Sequence, residues 1–136
     1  MGKLGRSRVT IPAVVASAAL TLVRDDGSVV CESCRLAATF RSRFLGLLGR
    51  RGLASREGLL IRPAGSIHTF FMRFAIDVVF LDGRGVVVKV VPHLRPWRLA
   101  FARGGREALE LAAGAAARRG LRPGDRLEVR AQGATT

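Results

Sequence analysis

The chain has no tyrosine, one tryptophan, two cysteines and only ten acidic residues against 23 basic ones. Two cysteines cannot build a disulfide framework, and at 136 residues none is required, because one domain of this length buries a sizeable core unaided. No run of about 20 continuous apolar residues occurs, so no membrane-spanning helix is expected. Fixed-period repeats and low-complexity tracts are also missing. GxSxG, the P-loop, HExxH and the dinucleotide fingerprint are all absent, which removes the familiar signatures of serine hydrolases, nucleotide triphosphatases, zinc proteases and nicotinamide enzymes. What is present, at 49% hydrophobic and 24% charged residues, is the composition of a globular domain.

The shortage of acids leaves a formal charge of +13, with 21 of the 23 cations arginine. Such a balance invites nucleic acid through phosphate neutralisation. The arginines are scattered from Arg6 to Arg130, however, and pairs such as Arg50-Arg51 and Arg118-Arg119 form no run that would track a backbone. A solvated basic surface is the simpler reading, with nucleic acid kept as a lesser alternative. At the N-terminus Lys3, Arg6 and Arg8 precede the apolar segment Val9 to Leu20, and Ala16-Ser17-Ala18 resembles a signal-peptidase site, although Pro12 interrupts the segment. Residues 1–18 therefore read as an N-terminal extension, with an export signal as the alternative to the favoured cytoplasmic location. Residues 19–131 form the single domain, and 132–136 a frayed tail.

Asp26-Gly27 between the β-prone runs Ala19 to Val23 and Ser28 to Ser33 predicts a hairpin. Thr39 can cap a short helix from Phe40 to about Leu48, with Phe40, Phe44, Leu47 and Leu48 on one face. Gly58 to Arg62 reads as a buried strand. Ser66 to Asp82 is the most unusual stretch, holding four of the seven phenylalanines together with His68, Arg73 and Asp77. Its even positions from Phe70 to Phe80 are all large and apolar, so period two predicts a strand with an even core face. In an unbroken strand Arg73 and Asp77 would share the other face roughly 13 Å apart, too far for an ion pair unless the chain bends near Ala75. Val86 to Val91 suits a central strand, Pro92 to Pro96 an extended crossing that holds no ladder, and Trp97 a position packed on the sheet. Arg106 to Arg119 is helical by propensity alone, Leu121 to Asp125 is a turn, and Arg126 to Ala131 is the last strand.

Chemistry-bearing residues are few. Cys31-Glu-Ser-Cys34 supplies two of the four ligands that structural zinc requires, and His68 and His93 do not complete a standard spacing. In a regular strand cysteines three apart point to opposite faces with Cα atoms about 10 Å apart, which excludes a disulfide between them. No metal or cofactor is assigned. Asp77, between Ile76 and Val78, needs a partner or a raised pKa, so it is either paired with an arginine or part of a binding or acid-base site.

The motifs Arg43-Phe-Leu-Gly-Leu-Leu-Gly-Arg50, His68-Thr-Phe-Phe-Met-Arg-Phe-Ala-Ile-Asp77, Leu109-Glu-Leu-Ala-Ala-Gly114 and Gly124-Asp125 together resemble the bacterial and archaeal family known as domain of unknown function 192. The likeness runs from about Leu20 to Val129. It implies a β-rich α+β fold, a compact small β-barrel or sandwich of about seven strands with two short flanking helices. It also implies a strand at Ala108 to Leu111, with the helix starting near Ala112, against local helix propensity. Ala75 departs from the family motif, which has Pro there in many members, so a bend before Asp77 is less enforced. The family's recurring polar positions fall on Arg43, His68, Arg73, Asp77, Glu110 and Asp125. The resulting expectation is a non-enzymatic binding or accessory module whose polar cleft takes a small polar or anionic ligand or a protein segment. Its rival is a hydrolase-like or isomerase-like enzyme with Asp77 or Glu110 as base and His68 as acid. Oligomeric state is left open.

Overall fold

The computed structural model describes residues 20–37 and 52–131. The expected helix from Phe40 to Leu48 with its Thr39 cap, the extension 1–18 and the tail 132–136 lie outside them. The described chain runs β1 (Leu20–Arg24), β2 (Val29–Ala37), β3 (Glu57–Ile61), β4 (Ser66–His68), β5 (Ile76–Leu81), β6 (Val87–Leu94), β7 (Leu99–Phe101), β8 (Glu107–Ala112), a single turn of helix α1 (Ala115–Arg118) and β9 (Leu127–Ala131).

Seven strands form one sheet in the order β6-β5-β8-β3-β2-β1-β9, and β4 pairs with β7 in a second, two-stranded sheet. Every pair is antiparallel except β2 with β3. The edge strands meet only where Val86 bridges Arg126, so the sheet curls without closing into a barrel. The fold is thus β-rich as expected. Among the described residues it has nine strands rather than about seven and one short helix rather than two.

The central strands β3, β5 and β8 are buried on both faces, because packed side chains cover each side of them. The inner face gathers Leu22, Val30, Leu60, Val79, Leu81, Leu109 and Leu111 around Ala115 and Ala116 of α1. The outer face gathers Leu59, Ile61, Ile76, Val78, Phe80 and Ala108, covered by Ile67, Met72, Ala100 and Ala102 of the β4–β7 layer. Hence β5 is buried at all six positions. The even face is core as expected, but the odd face is core as well.

Several local expectations change for identifiable reasons. Ser66 to Asp82 is not continuous: Met72 N–H donates to the Thr69 carbonyl at 3.1 Å, and that turn sends β4 and β5 into different sheets. Pro92 and His93 belong to β6. The register passes from Val78–Val91 to Ile76–Leu94, so the two residues form a bulge opposite Asp77 on an edge strand, where proline's missing N–H is tolerated. Val86 to Val91 consequently lies at an edge and not in the centre. Glu107–Ala112 is a strand despite its helix-forming composition, since it lies between β3 and β5 and both ladders satisfy its backbone. Finally, β2 carries a bulge. Leu20 faces Cys34 and Leu22 faces Cys31, three residues against two, so both cysteines point inward where regular alternation would have separated them.

Candidate functional site

Asp77 is the residue whose environment decides most. It is fully buried on the inner face of β5. One carboxylate oxygen accepts the backbone N–H of His93 at 2.9 Å, and the other accepts those of Gly114 at 3.1 Å and Ala116 at 2.9 Å. Neither an arginine nor an open cleft supplies these three bonds. The bulge at Pro92-His93 turns the His93 amide inward, and Gly114, at φ 91, aims the first amides of α1 at the same carboxylate. Asp77 therefore ties β5, β6 and α1 together by capping orphan donors.

Glu110, also fully buried, lies on the opposite face, because it pairs in register with Val78 and Leu59 whereas Asp77 pairs with Leu111. The sheet itself separates the two carboxylates. Asp125 closes the β9 turn by accepting the Arg122 N–H at 3.0 Å and meets Arg24 Nη1 at 3.5 Å. Arg43 falls outside the described residues. Among the acids, Glu107 forms a mostly buried ion pair with Arg62 at 2.8 Å.

His68 and Arg73 belong to a different surface. In the β4–β7 layer Ile67 and Ala100 point down onto the core, so their strand neighbours point outward. His68 stacks on Phe70 with centroids 4.7 Å apart, and its Nδ1 accepts the Phe70 N–H at 3.2 Å. Phe70 stacks on Trp97 at 5.8 Å, and Phe71 tilts against the same indole at 4.7 Å. Far from packing on the sheet, Trp97 is 55% exposed, beside Phe71 at 59%, Leu99 at 68% and Phe101 at 69%. Lys89 Nζ sits 5.3 Å from the Phe101 ring centroid and donates to the Phe101 carbonyl at 2.9 Å. Arg73, Arg95, Arg98 and Arg103 are exposed in the segments that carry these rings.

Phe71 and Trp97 have φ of 69 and 64, left-handed values that bulky side chains rarely adopt. The clamp that enforces them is Thr69, which is fully buried. Its carbonyl accepts the N–H groups of Met72 and Trp97, its N–H donates to the Arg98 carbonyl, and its hydroxyl donates to the Arg95 carbonyl at 2.6 Å while accepting the Arg98 N–H at 2.9 Å. Thr69 thus welds the turn after β4 to the turn before β7. Sequence reasoning missed it, as it missed Phe71 and Trp97 as partners. The available signal was a small polar residue directly before two phenylalanines.

The DUF192 family model, described as Uncharacterized ACR, matches residues 21–129. A UPF0127 protein of Pyrococcus horikoshii is 43% identical over 68 residues, covering 48% of this chain and 58% of the relative. One of Pyrococcus furiosus is 40% identical over 75 residues, covering 53% of this chain and 64% of the relative. The chain thus spans about three fifths of the length of these relatives. A Sinorhizobium meliloti crystal structure described as a "putative transcription regulator" superposes with a TM-score of 0.70 at 27% identity, covering 83% of this chain and 95% of that one. A Novosphingobium aromaticivorans protein of unknown function superposes with a TM-score of 0.68 at 23% identity, covering 91% and 94%. The latter likeness concerns the fold alone.

Proposed function

We propose, from the premise that this chain belongs to the DUF192 family of uncharacterized proteins, that it is a non-enzymatic binding module whose aromatic β4–β7 face takes an acidic, aromatic-bearing or aliphatic-bearing peptide segment of another protein. The observation that carries this reading is the pair Phe71 and Trp97, exposed in left-handed backbone and held there by Thr69. A fold gains nothing in stability from presenting large apolar rings to water in an unfavourable conformation, and strain of this kind belongs to surfaces that meet a partner. Charge supplies the sign of the partner. Between Arg62 and Arg106 the only acids are Asp77, which is buried, and Asp82, whose carboxylate accepts the N–H groups of Arg84 and Val86. The arginines around the rings therefore share this segment with a single partly exposed carboxylate and favour negative charge in the ligand. His68 and Arg73 keep a binding role here as members of this face.

Trp97 is the chain's single tryptophan, so its emission reports the face directly. Titration with peptides bearing Phe and Leu between Asp and Glu residues should shift the emission to the blue, with affinity falling as salt rises. Neutral peptides of the same apolar content should bind at least ~10-fold more weakly. Phe71→Ala should cost about 1–2 kcal/mol of binding. The description of the Sinorhizobium meliloti neighbour makes a single-stranded oligonucleotide the natural control, since stacked rings beside arginines also suit bases. A larger emission change with the oligonucleotide than with any peptide, or no change with either, would overturn the peptide reading.

A further inference from the structure

Cys31 and Cys34 take no part in the aromatic face. In the bulge of β2 three residue steps span the same length as two steps of β1, from Leu20 to Leu22. The two Cα atoms are thereby drawn from about 10 Å to roughly 6.6 Å apart, inside the range that disulfides tolerate. Both side chains are fully buried in the inner core. The Cys31 thiol donates to the Arg56 carbonyl at 3.7 Å and the Cys34 thiol to the Arg35 carbonyl at 3.8 Å. Gly58 makes room for this pair, since a Cβ there would stand 2.6 Å from Cys31 Sγ.

We propose that Cys31 and Cys34 are a reversible redox pair, a dithiol that closes to an intrastrand disulfide when the protein meets hydrogen peroxide and reopens with a thiol reductant.

The two sulfurs are chemically unequal. The neighbouring Cys34 sulfur, then the Ser33 backbone and the field of Arg119, hold the Cys31 thiol below its ordinary range, whereas the Cys31 sulfur together with burial pushes Cys34 well up. Cys31 is the nucleophile and Cys34 the resolving group. The Cys31 thiolate attacks the peroxide, the O–O bond breaks, and the leaving hydroxide takes a proton to become water, leaving a sulfenic acid. The Cys34 sulfur then attacks that sulfur. The S–O bond breaks, and the departing hydroxyl leaves as a second water with the Cys34 proton. Two thiols are oxidised by two electrons and one peroxide is reduced. Entry is from the side of the exposed turn Ala54 to Arg56, whose Arg56 carbonyl lies 3.7 Å from Cys31 Sγ. Among the described residues the β2–β3 ladder begins at Ser33 paired with Glu57, two residues past Cys31. The closed ring spans only four residues and restricts the unfolded chain little, which suits a switch better than a staple.

The test is intact mass with thiol counting on the full chain, blocked with N-ethylmaleimide after denaturation. Reduced protein should take two labels. After hydrogen peroxide it should take none and be lighter by two hydrogens, and dithiothreitol should restore both labels. Cys34→Ser should still react with peroxide at Cys31, at least ~10-fold faster than Cys31→Ser reacts at Cys34. Circular dichroism checks that both variants fold, and the native protein alone decides the central point if one does not. Retention of both labels after peroxide, oxidation to sulfinic acids without loss of two hydrogens, or exclusively intermolecular dimers would each overturn the assignment.

Discussion

At the residue scale the polar groups buried in this sheet divide into fasteners and partners. Asp77 is a fastener, and removing it strands three backbone donors. Asp77→Ala should therefore lower the unfolding free energy by about 3 kcal/mol or more, read as a fall in the urea midpoint with the slope unchanged. Asp77→Asn fills the space, but its amide must turn a donor toward either His93 or the Gly114 and Ala116 pair, so it should still cost about 1–2 kcal/mol. A loss below ~0.5 kcal/mol for both would remove the capping role. Asp26 behaves differently because it is fully exposed. The Ser28 hydroxyl and then the Ser28 N–H stabilise its carboxylate, lowering its pKa from the ordinary Asp range. A lowered folded pKa contributes stability that is present above the unfolded value and lost as pH falls through the folded one. The stability gap between the native protein and Asp26→Ala should accordingly narrow between about pH 5 and pH 3, and a gap independent of pH would contradict it.

At the scale of elements, the ordinary rules placed most strands. Asp26-Gly27 made the first hairpin legible, and the Arg24 N–H meets the Ser28 carbonyl at 2.9 Å as such a turn requires. Ala108 to Leu111 was legible only through kinship, because Glu, Ala and Leu favour helix until two neighbouring strands claim the backbone. The bulges could not be read. A one-residue surplus at Glu32-Ser33 reverses the side on which Cys34 lies, and no composition rule marks it. The same holds at Pro92-His93, where the proline advertised a break while the ladder continued past it. The candidate site suffered most from the turn after His68. Period two extended a strand through Phe71 and so hid the conformation that exposes it. That conformation carries its own prediction. At a left-handed position glycine avoids the steric cost that alanine bears, so Trp97→Gly should be more stable than Trp97→Ala by about 1 kcal/mol, the reverse of the order usual in regular structure. Thermal unfolding of the two variants checks this. Equal or inverted stability would mean that the backbone at Trp97 carries no strain.

At the scale of the molecule, the two sheets differ in how firmly they are held. β8 is flanked by β3 and β5, its side chains reach both cores, and β5 carries the Asp77 links to β6 and α1. The β4–β7 layer consists of two three-residue strands resting on one core through Ile67, Ala100 and their neighbours, with the Thr69 bonds as its principal clamp. Short strands with few buried apolar side chains open below the global unfolding free energy. Native-state hydrogen exchange should then show the amides of Val78 to Phe80 and Ala108 to Leu111 exchanging only by global unfolding, with those of Ile67 and Ala100 opening at least ~2 kcal/mol sooner. Thr69→Val keeps the shape but deletes the hydroxyl bonds, and it should widen that gap while leaving β8 nearly unchanged. If Ile67 and Ala100 instead exchange with the same free energy as Leu109, the aromatic face is a rigid extension of the main sheet. An acidic peptide that docks there would then raise no protection specific to the layer, whereas on a separately opening layer it must.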